Sequence, residues 1–164
     1  MLALAAAFAL AAGAAEPPAP VAAPSPSAVL ELRVVRRDGT ATTLREVAAG
    51  APTVLAFWAT YCPPCRAEVP ALNRAAAKWR ERGLRVVGVA LETDAKRVAE
   101  ARDAWGMEYD TVRLAAGEES RAEALFPRGL PTSALVARGA LTWHERFLTA
   151  EALERLVPPL LGDQ

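Results

Sequence analysis

Runs of apolar residues alternate with segments of helical periodicity along most of this chain. Residues 54–58 and 84–91 are almost continuously apolar, which is typical of strands buried on both faces of a sheet. Between them, residues 63–82 repeat apolar side chains at helical spacing, and Gly83 is a natural end for that helix. Strands that alternate with helices in this way indicate an α/β fold layered around one sheet.

The segment before the first buried strand predicts a β-hairpin. Strand candidates lie at residues 29–35 and 40–44, and Asp38-Gly39 between them is a pair that tight hairpin turns favour. Residues 45–50 predict a short helical turn before the first buried strand. We see no internal repeat in the chain.

The second half of the chain continues the same alternation. The pattern predicts a helix capped by Thr93 or Asp94 that runs to about residue 105, a strand at 109–114 and a helix at 118–125 ended by Pro127. It then predicts strands at 133–137 and 140–147 and a last helix capped by Thr149. Pro158 and Pro159 are expected to limit the length of this last helix, because proline has no N–H to donate.

The first 28 residues do not follow the pattern of a folded domain. Residues 2–15 form an apolar, alanine-rich run, which is typical of a signal peptide or an N-terminal anchor. No Lys or Arg precedes the run, so either the signal is atypical or the true start lies upstream. Residues 16–28 are rich in Pro, Ala and Ser and predict an extended linker. One folded domain is therefore expected at residues 29–164.

Charge and cysteine content exclude several classes of function. Lys plus Arg and Asp plus Glu number 19 each, so the net charge gives no support for binding nucleic acid or an anionic membrane. The chain has two cysteines, whereas a four-thiolate zinc site needs four. We expect no metal and no other cofactor.

The two cysteines, Cys62 and Cys65, directly follow the first buried strand in the spacing C-x-x-C. Pro63 and Pro64 suit the first helical positions, whose N–H groups have no partner within a helix. Free N–H donors and the helix dipole favour a thiolate at Cys62. A disulfide closing so short a loop stabilises a fold by only about 2 kcal/mol. The motif therefore indicates a redox site more strongly than a structural disulfide.

The sequence FWATYCPPC, the Arg66 to Pro70 segment after it and a later Gly129-Leu130-Pro131-Thr132 together resemble the thioredoxin superfamily. Within it, the chain is most similar to the TlpA- and ResA-like reductases, from about residue 30 to the C-terminus. The resemblance implies a thioredoxin fold, with a central mixed sheet flanked by helices and an added N-terminal hairpin. It also implies an extracytoplasmic thiol–disulfide oxidoreductase, more specifically a reductase, in the periplasm or on the outer face of the membrane.

Thiol–disulfide exchange needs an exposed attacking thiol and a shielded resolving thiol, roles that suit Cys62 and Cys65 respectively. By resemblance, the Leu130–Pro131 bond is cis and packs beside the disulfide, where the backbone before it pairs with substrate. By resemblance, Glu68 takes part in the proton chemistry of the site. The alternative is that Glu68 is an exposed first-turn residue that complements the helix dipole. Ala56 stands where thioredoxin has a buried Asp, which leaves Glu68 as the nearby carboxylate candidate.

Five residues are expected to line the substrate groove, and Trp58 is also expected to be partly in the core: Trp58, Tyr61, Pro63, Pro64 and Leu130. Tyr61 takes the place of the tryptophan usual in the superfamily. His144, the single histidine, is interpreted as an ordinary strand residue.

The resemblance implies a monomer whose partners are disulfide-containing client proteins and a membrane-embedded thiol electron donor. Clients would include apocytochrome c, copper-site assembly proteins or other exported proteins. The alternative is a Cu(I)-binding metal-delivery protein, since soft thiolates suit Cu(I) and Cys62, Cys65 and His144 offer three ligands.

Overall fold

The computed structural model describes residues 25–126 and 128–162. The predicted signal or anchor, residues 16–24 of the predicted linker, and Pro127 lie outside these ranges. The end of the predicted linker is not extended, because helix α1 (Pro26–Leu30) forms there with proline in its first turn. Val29 and Leu30, the first two residues of the predicted domain, are buried in the core.

The other elements follow α1 in chain order. They are β1 (Arg33–Val35), β2 (Ala41–Thr43), α2 (Leu44–Ala48), β3 (Thr53–Trp58), α3 (Pro63–Trp79), β4 (Arg85–Ala90), α4 (Ala95–Ala104), β5 (Asp110–Leu114), α5 (Glu119–Leu125), β6 (Thr132–Ala137), β7 (Ala140–His144) and α6 (Ala150–Leu161). Within the described ranges, no helix is long and apolar enough to cross a membrane.

One sheet contains all these strands, in the order β2-β1-β5-β4-β3-β6-β7. Strands β3, β4 and β5 pair in parallel, whereas β1 and β6 join this parallel core antiparallel to their neighbours. The sheet is therefore mixed, as predicted. β3 lies between β4 and β6, and all six of its residues are buried, which explains its continuously apolar sequence.

The two faces of the sheet are covered by different helices, because side chains alternate along each strand. Leu55 and Phe57 face a cluster that includes apolar residues of α1, α2 and α5. Val54 and Ala56 face a second cluster built from α3 and α6. The cysteine-bearing helix α3 therefore packs on the same face of the sheet as Ala56.

The predicted N-terminal hairpin is present, although its first strand is shorter than expected. β1 pairs antiparallel with β2, and Arg33 lies opposite Thr43. Gly39 has a φ of 88° in the connecting turn, a conformation that favours glycine. Thr43 then caps α2 through reciprocal bonds with Glu46, which places the short predicted helix directly after β2.

The C-terminal part differs from the predictions in two places. α6 continues through Pro158 and Pro159 to Leu161, so the prolines do not end the helix. Leu160 and Leu161 pack against the cluster that contains α6 residues Leu153 and Val157, and we attribute the continuation to this packing. β7 ends at His144 rather than at residue 147, because the chain turns there towards α3 before α6 begins.

Candidate active site

The carboxyl end of β3 leads directly into the two cysteines. Cys62 is the N-cap of α3, and Pro63 and Pro64 follow it in the first helical turn. Cys62 and Cys65 form a disulfide with an S–S distance of 2.02 Å. The sulfur of Cys62 also accepts the backbone N–H of Cys65 at 3.2 Å. The sequence therefore folds locally so that one sulfur receives an N–H from the start of the helix.

Both cysteines are buried in this disulfide form, with 6% of Cys62 and 3% of Cys65 exposed. The predicted exposed position of Cys62 is therefore wrong for the oxidised protein, although Cys62 is the more accessible of the two. The residues packed around the pair are apolar, and they include Trp58, Ala59 and Val98. We define residues 59–62, which lead from β3 into α3, as the elbow.

The Leu130–Pro131 peptide bond is cis, as predicted. Leu130 packs against the apolar cluster that contains both cysteines. Thr132 donates its hydroxyl to the carbonyl oxygen of Gly129 at 2.8 Å and so closes the turn around the proline. Phe57 lies opposite Thr132 in the sheet register, which brings this turn to the same end of the sheet as the elbow.

The predicted groove residues divide into two groups. Tyr61, Pro63 and Pro64 are exposed, with 69% of Tyr61 accessible, and Leu130 is half-buried. Trp58 is only 3% exposed, so its predicted position in a substrate groove is wrong. Its indole ring instead packs in the interior against Trp105, with the ring centroids 5.1 Å apart.

Glycine at position 88 of β4 makes room for this tryptophan. A Cβ atom at Gly88 would lie 3.1 Å from Trp58 Nε1 and 3.1 Å from Tyr109 Cε2, which is tighter than ordinary contacts. Gly88 also lies next to Ala56 in the sheet register. Because position 88 has no side chain, the rings of Trp58 and Tyr109 can approach the backbone of β4.

Glu68 is buried, with 2% of the residue exposed, so the alternative of an exposed first-turn Glu is wrong. Its Oε1 accepts the backbone N–H of Leu148, in the loop between β7 and α6, at 2.5 Å. Burial raises the pKa of Glu68 from 4.5 to about 7, although the N–H of Leu148 acts in the opposite direction. Burial and the nearby Glu68 charge also raise the pKa of Tyr109. One turn beyond Cys65, the helix thus carries a carboxyl group that titrates near neutral pH.

This pKa predicts how the stability of the oxidised protein depends on pH. The folded protein keeps a proton on Glu68 up to about pH 7, whereas the ordinary pKa is 4.5. The free energy of unfolding should therefore fall as the pH rises from about 4.5 to 7, by on the order of 2–3 kcal/mol. In Glu68→Gln this contribution should be absent.

Urea unfolding of the oxidised proteins at pH 5 and pH 8 measures the effect. The matched control is Glu123→Gln, which changes an exposed carboxylate on α5. We expect the control to keep the wild-type difference between the two pH values and Glu68→Gln to lose it. If Glu68→Gln kept that difference in full, the carboxyl group of Glu68 would be ionised across the whole range and the assignment would be wrong.

Several residues near the site were not predicted from the sequence. Glu92 accepts the backbone N–H of Thr60 at 2.6 Å and the Thr60 hydroxyl at 2.9 Å. Arg97 donates to the same hydroxyl at 2.8 Å. Phe147, which precedes Leu148, is 40% exposed and was also not predicted; with the predicted Tyr61 it makes up the exposed large apolar side chains of the described chain. The position of Glu92 directly after an apolar strand was the available signal, because adjacent parallel strands bring their carboxyl ends together.

The three ligands of the alternative copper site are not brought together. His144 lies opposite Ser133 on β6, and its Nε2 is buried with no hydrogen-bond partner among the described residues. Within residues 25–126 and 128–162, no group of three or more His, Cys, Asp or Glu side chains could hold a metal ion. His144 is therefore not a third ligand beside Cys62 and Cys65.

Comparison with known proteins finds relatives with named redox activities. The sequence profile of the Redoxin family matches residues 16–133. The thiol-disulfide oxidoreductase ResA of Halalkalibacterium halodurans is 31% identical over 46% of this chain and 42% of its own length. The thiol:disulfide interchange protein DsbE of Tatumella citrea is 30% identical over 82% of this chain and 71% of its own length. The match to ResA thus spans less than half of that relative.

Solved structures agree with this grouping. A crystal structure assigned as a thiol:disulfide interchange protein DsbE from Chlorobium tepidum has 28% identity and a TM-score of 0.68, covering 82% of this chain and 95% of its own. The thioredoxin domain of a thiol-disulfide oxidoreductase from Bacteroides vulgatus has 19% identity and a TM-score of 0.68, covering 87% and 99%, which supports the fold. The chain therefore belongs to the Redoxin family, as a TlpA- and ResA-like member of the thioredoxin superfamily.

Proposed function

We propose that this protein is a thiol–disulfide oxidoreductase that reduces disulfides of exported client proteins. The observation that carries the proposal is the Cys62–Cys65 disulfide at the start of α3, at the same end of the sheet as the cis Leu130–Pro131 bond. The names of the ResA and DsbE relatives support it. A purely structural disulfide would need neither an N–H donor at the first sulfur nor a carboxyl group of raised pKa one turn away.

In the proposed cycle, the reduced protein attacks with Cys62. Its thiolate displaces one sulfur of the client disulfide, forming a mixed disulfide, and the leaving client thiolate takes a proton from solvent. Cys65, once deprotonated, attacks the sulfur of Cys62 and releases the second client cysteine as a thiolate. The client gains two electrons and the protein gains the Cys62–Cys65 disulfide. A thiol donor, which we propose to be membrane-embedded, returns the protein to the dithiol form by the reverse exchange.

Glu68 is the proposed acceptor of the Cys65 proton. A general base works best when its pKa lies near the working pH, and the pKa of Glu68 is raised to about 7 by burial. The residue lies three positions beyond Cys65, so both side chains leave the same face of α3. The hydrogen bond from Leu148 fixes one carboxyl oxygen and orients the group.

The client is proposed to lie across the elbow. Tyr61, Pro63 and Pro64 offer exposed apolar surface beside Cys62, and the backbone at Leu130 is proposed to pair with an extended client strand next to cis Pro131. We place the protein outside the cytoplasm, as a monomer. Apocytochrome c and copper-site assembly proteins are proposed as clients.

The proposal is tested with a disulfide-bonded peptide and the prereduced protein. We expect each protein molecule to reduce about one peptide disulfide and to end in the Cys62–Cys65 disulfide form, as measured by mass after alkylation. Protein whose two thiols were alkylated beforehand is the control and should leave the peptide oxidised. If the prereduced protein left the peptide intact but bound one Cu(I) per molecule, the metal-delivery function would replace the proposed one.

A further inference from the structure

A half-buried carboxylate holds the elbow from the neighbouring strand. Glu92 follows β4, and its side chain is 14% exposed. Its Oε2 accepts the N–H of Thr60 at 2.6 Å and its Oε1 accepts the Thr60 hydroxyl at 2.9 Å. Arg97 of α4 donates to the Thr60 hydroxyl at 2.8 Å and lies 3.5 Å from Glu92 Oε1. We call these three residues the elbow clamp.

The elbow clamp binds the chain two residues before Cys62. Within the elbow, the N–H of Cys62 is bonded to the carbonyl oxygen of Ala59 at 3.0 Å, so movement of Thr60 would carry Cys62 with it. β3 and β4 remain paired up to this point, where Leu91 donates to the carbonyl oxygen of Trp58 at 2.9 Å. Hydrogen bonds to a partly desolvated carboxylate are stronger than bonds between neutral groups. The clamp therefore fixes the position of the Cys62 sulfur relative to the sheet.

The contribution of the clamp should depend on the state of the cysteines. In the oxidised protein, the S–S bond ties Cys62 to α3 covalently and restrains the elbow by itself. In the dithiol form that restraint is absent. The hydrogen bonds that then hold Cys62 to α3 are the N–H of Cys65 to its sulfur, at 3.2 Å, and the N–H of Arg66 to its carbonyl oxygen, at 3.3 Å. In the dithiol form the clamp must order a freer chain, and this entropy cost leaves its bonds with less net effect on stability than in the disulfide form.

We propose that Glu92, acting through Thr60, is a positioning residue that holds Cys62 in the geometry of the closed disulfide and so favours the disulfide form. The inference rests on the proposed redox cycle. It gives Glu92, Thr60 and Arg97 a part in setting the equilibrium between the dithiol and disulfide forms. The C-x-x-C motif and the cis proline do not account for this contribution.

Thr60→Val tests the proposal with both charges of the clamp retained. The substitution removes the hydroxyl bonds to Glu92 and Arg97 and keeps the backbone N–H bond. Exchange with glutathione at pH 7 should shift towards the dithiol form by about two- to tenfold, the effect of losing one or two ordinary hydrogen bonds in one redox form. The matched control is Glu100→Gln on α4, whose exposed carboxylate lies 3.9 Å from Lys96 Nζ. Its exchange constant should equal that of the wild type.

Glu92→Gln gives a second, independent readout. The substitution replaces the carboxylate with an uncharged amide and so weakens the bonds to Thr60. The melting temperature of the oxidised protein should fall more than that of the reduced protein, kept reduced with a phosphine. Equal losses in both forms, together with an unchanged exchange constant for Thr60→Val, would show that the clamp is only structural and overturn the proposal.

The two proposals fail in different ways. If the wild-type protein did not equilibrate with glutathione at all, the proposed redox function would be wrong. The melting temperatures of the chemically reduced and oxidised forms would still decide whether the clamp favours the disulfide form. A wild type that equilibrates normally, with variants that match it in both measurements, contradicts the clamp alone.

Discussion

The rate of client disulfide reduction should fall at least about a thousandfold in Cys62→Ser, because a serine hydroxyl is not ionised at neutral pH. Removal of a nucleophile has effects of this size or larger on the rate. Cys65→Ser should instead attack clients normally and accumulate mixed disulfides, because no second thiol remains to release them. The asymmetry follows from position. Cys62 is the N-cap whose sulfur accepts an N–H, whereas Cys65 lies inside the first turn and is 3% exposed.

Competitive alkylation of the reduced wild type measures this asymmetry directly. With a limiting amount of iodoacetamide at pH 7, peptide masses should show Cys62 labelled well before Cys65. Faster labelling of Cys65 would reverse the two roles. The mixed disulfides held by Cys65→Ser, isolated from cells of the source organism and identified by mass, would also name the clients.

The sheet and its helices were predictable because each element is governed by local periodicity. The continuous apolar sequence of β3 reflects burial on both faces, and the capping residues placed the starts of α4 and α6 correctly. The errors lie where tertiary packing outweighs a local rule. Pro158 and Pro159 lie inside α6, and the first helix takes the last residues of the predicted linker. The apolar clusters that hold α1 and the end of α6 contain residues from distant parts of the chain, and a local sequence pattern does not show them.

The candidate site was predictable as far as its motif extends. The C-x-x-C pair and the cis Leu130–Pro131 bond follow from short sequence signatures. The burial of Glu68 does not, because the N–H that binds it belongs to Leu148, 80 residues away. The contact between Thr60 and Glu92 likewise exists only because β3 and β4 are parallel neighbours.

We also predict that electrons pass from this protein to its clients, because the Cys62–Cys65 couple should be reducing. Pro63 and Pro64 have no N–H, so the N–H of Cys65 is the first donor of α3 that reaches the Cys62 sulfur. The dipeptide between the cysteines also carries no charge. In its ionised form, buried Glu68 would further disfavour a thiolate nearby. A less stabilised thiolate makes the dithiol form less stable, and the couple is therefore more reducing.

We therefore predict a reduction potential of about −220 to −280 mV at pH 7, near that of thioredoxin. Equilibration of the wild-type protein with defined ratios of reduced and oxidised glutathione, followed by acid quenching, alkylation and mass measurement, gives this value. A potential in that range supports a reductase that passes electrons to its clients. A potential near about −120 mV, typical of strong periplasmic oxidants, would contradict the account and make the protein a donor of disulfides.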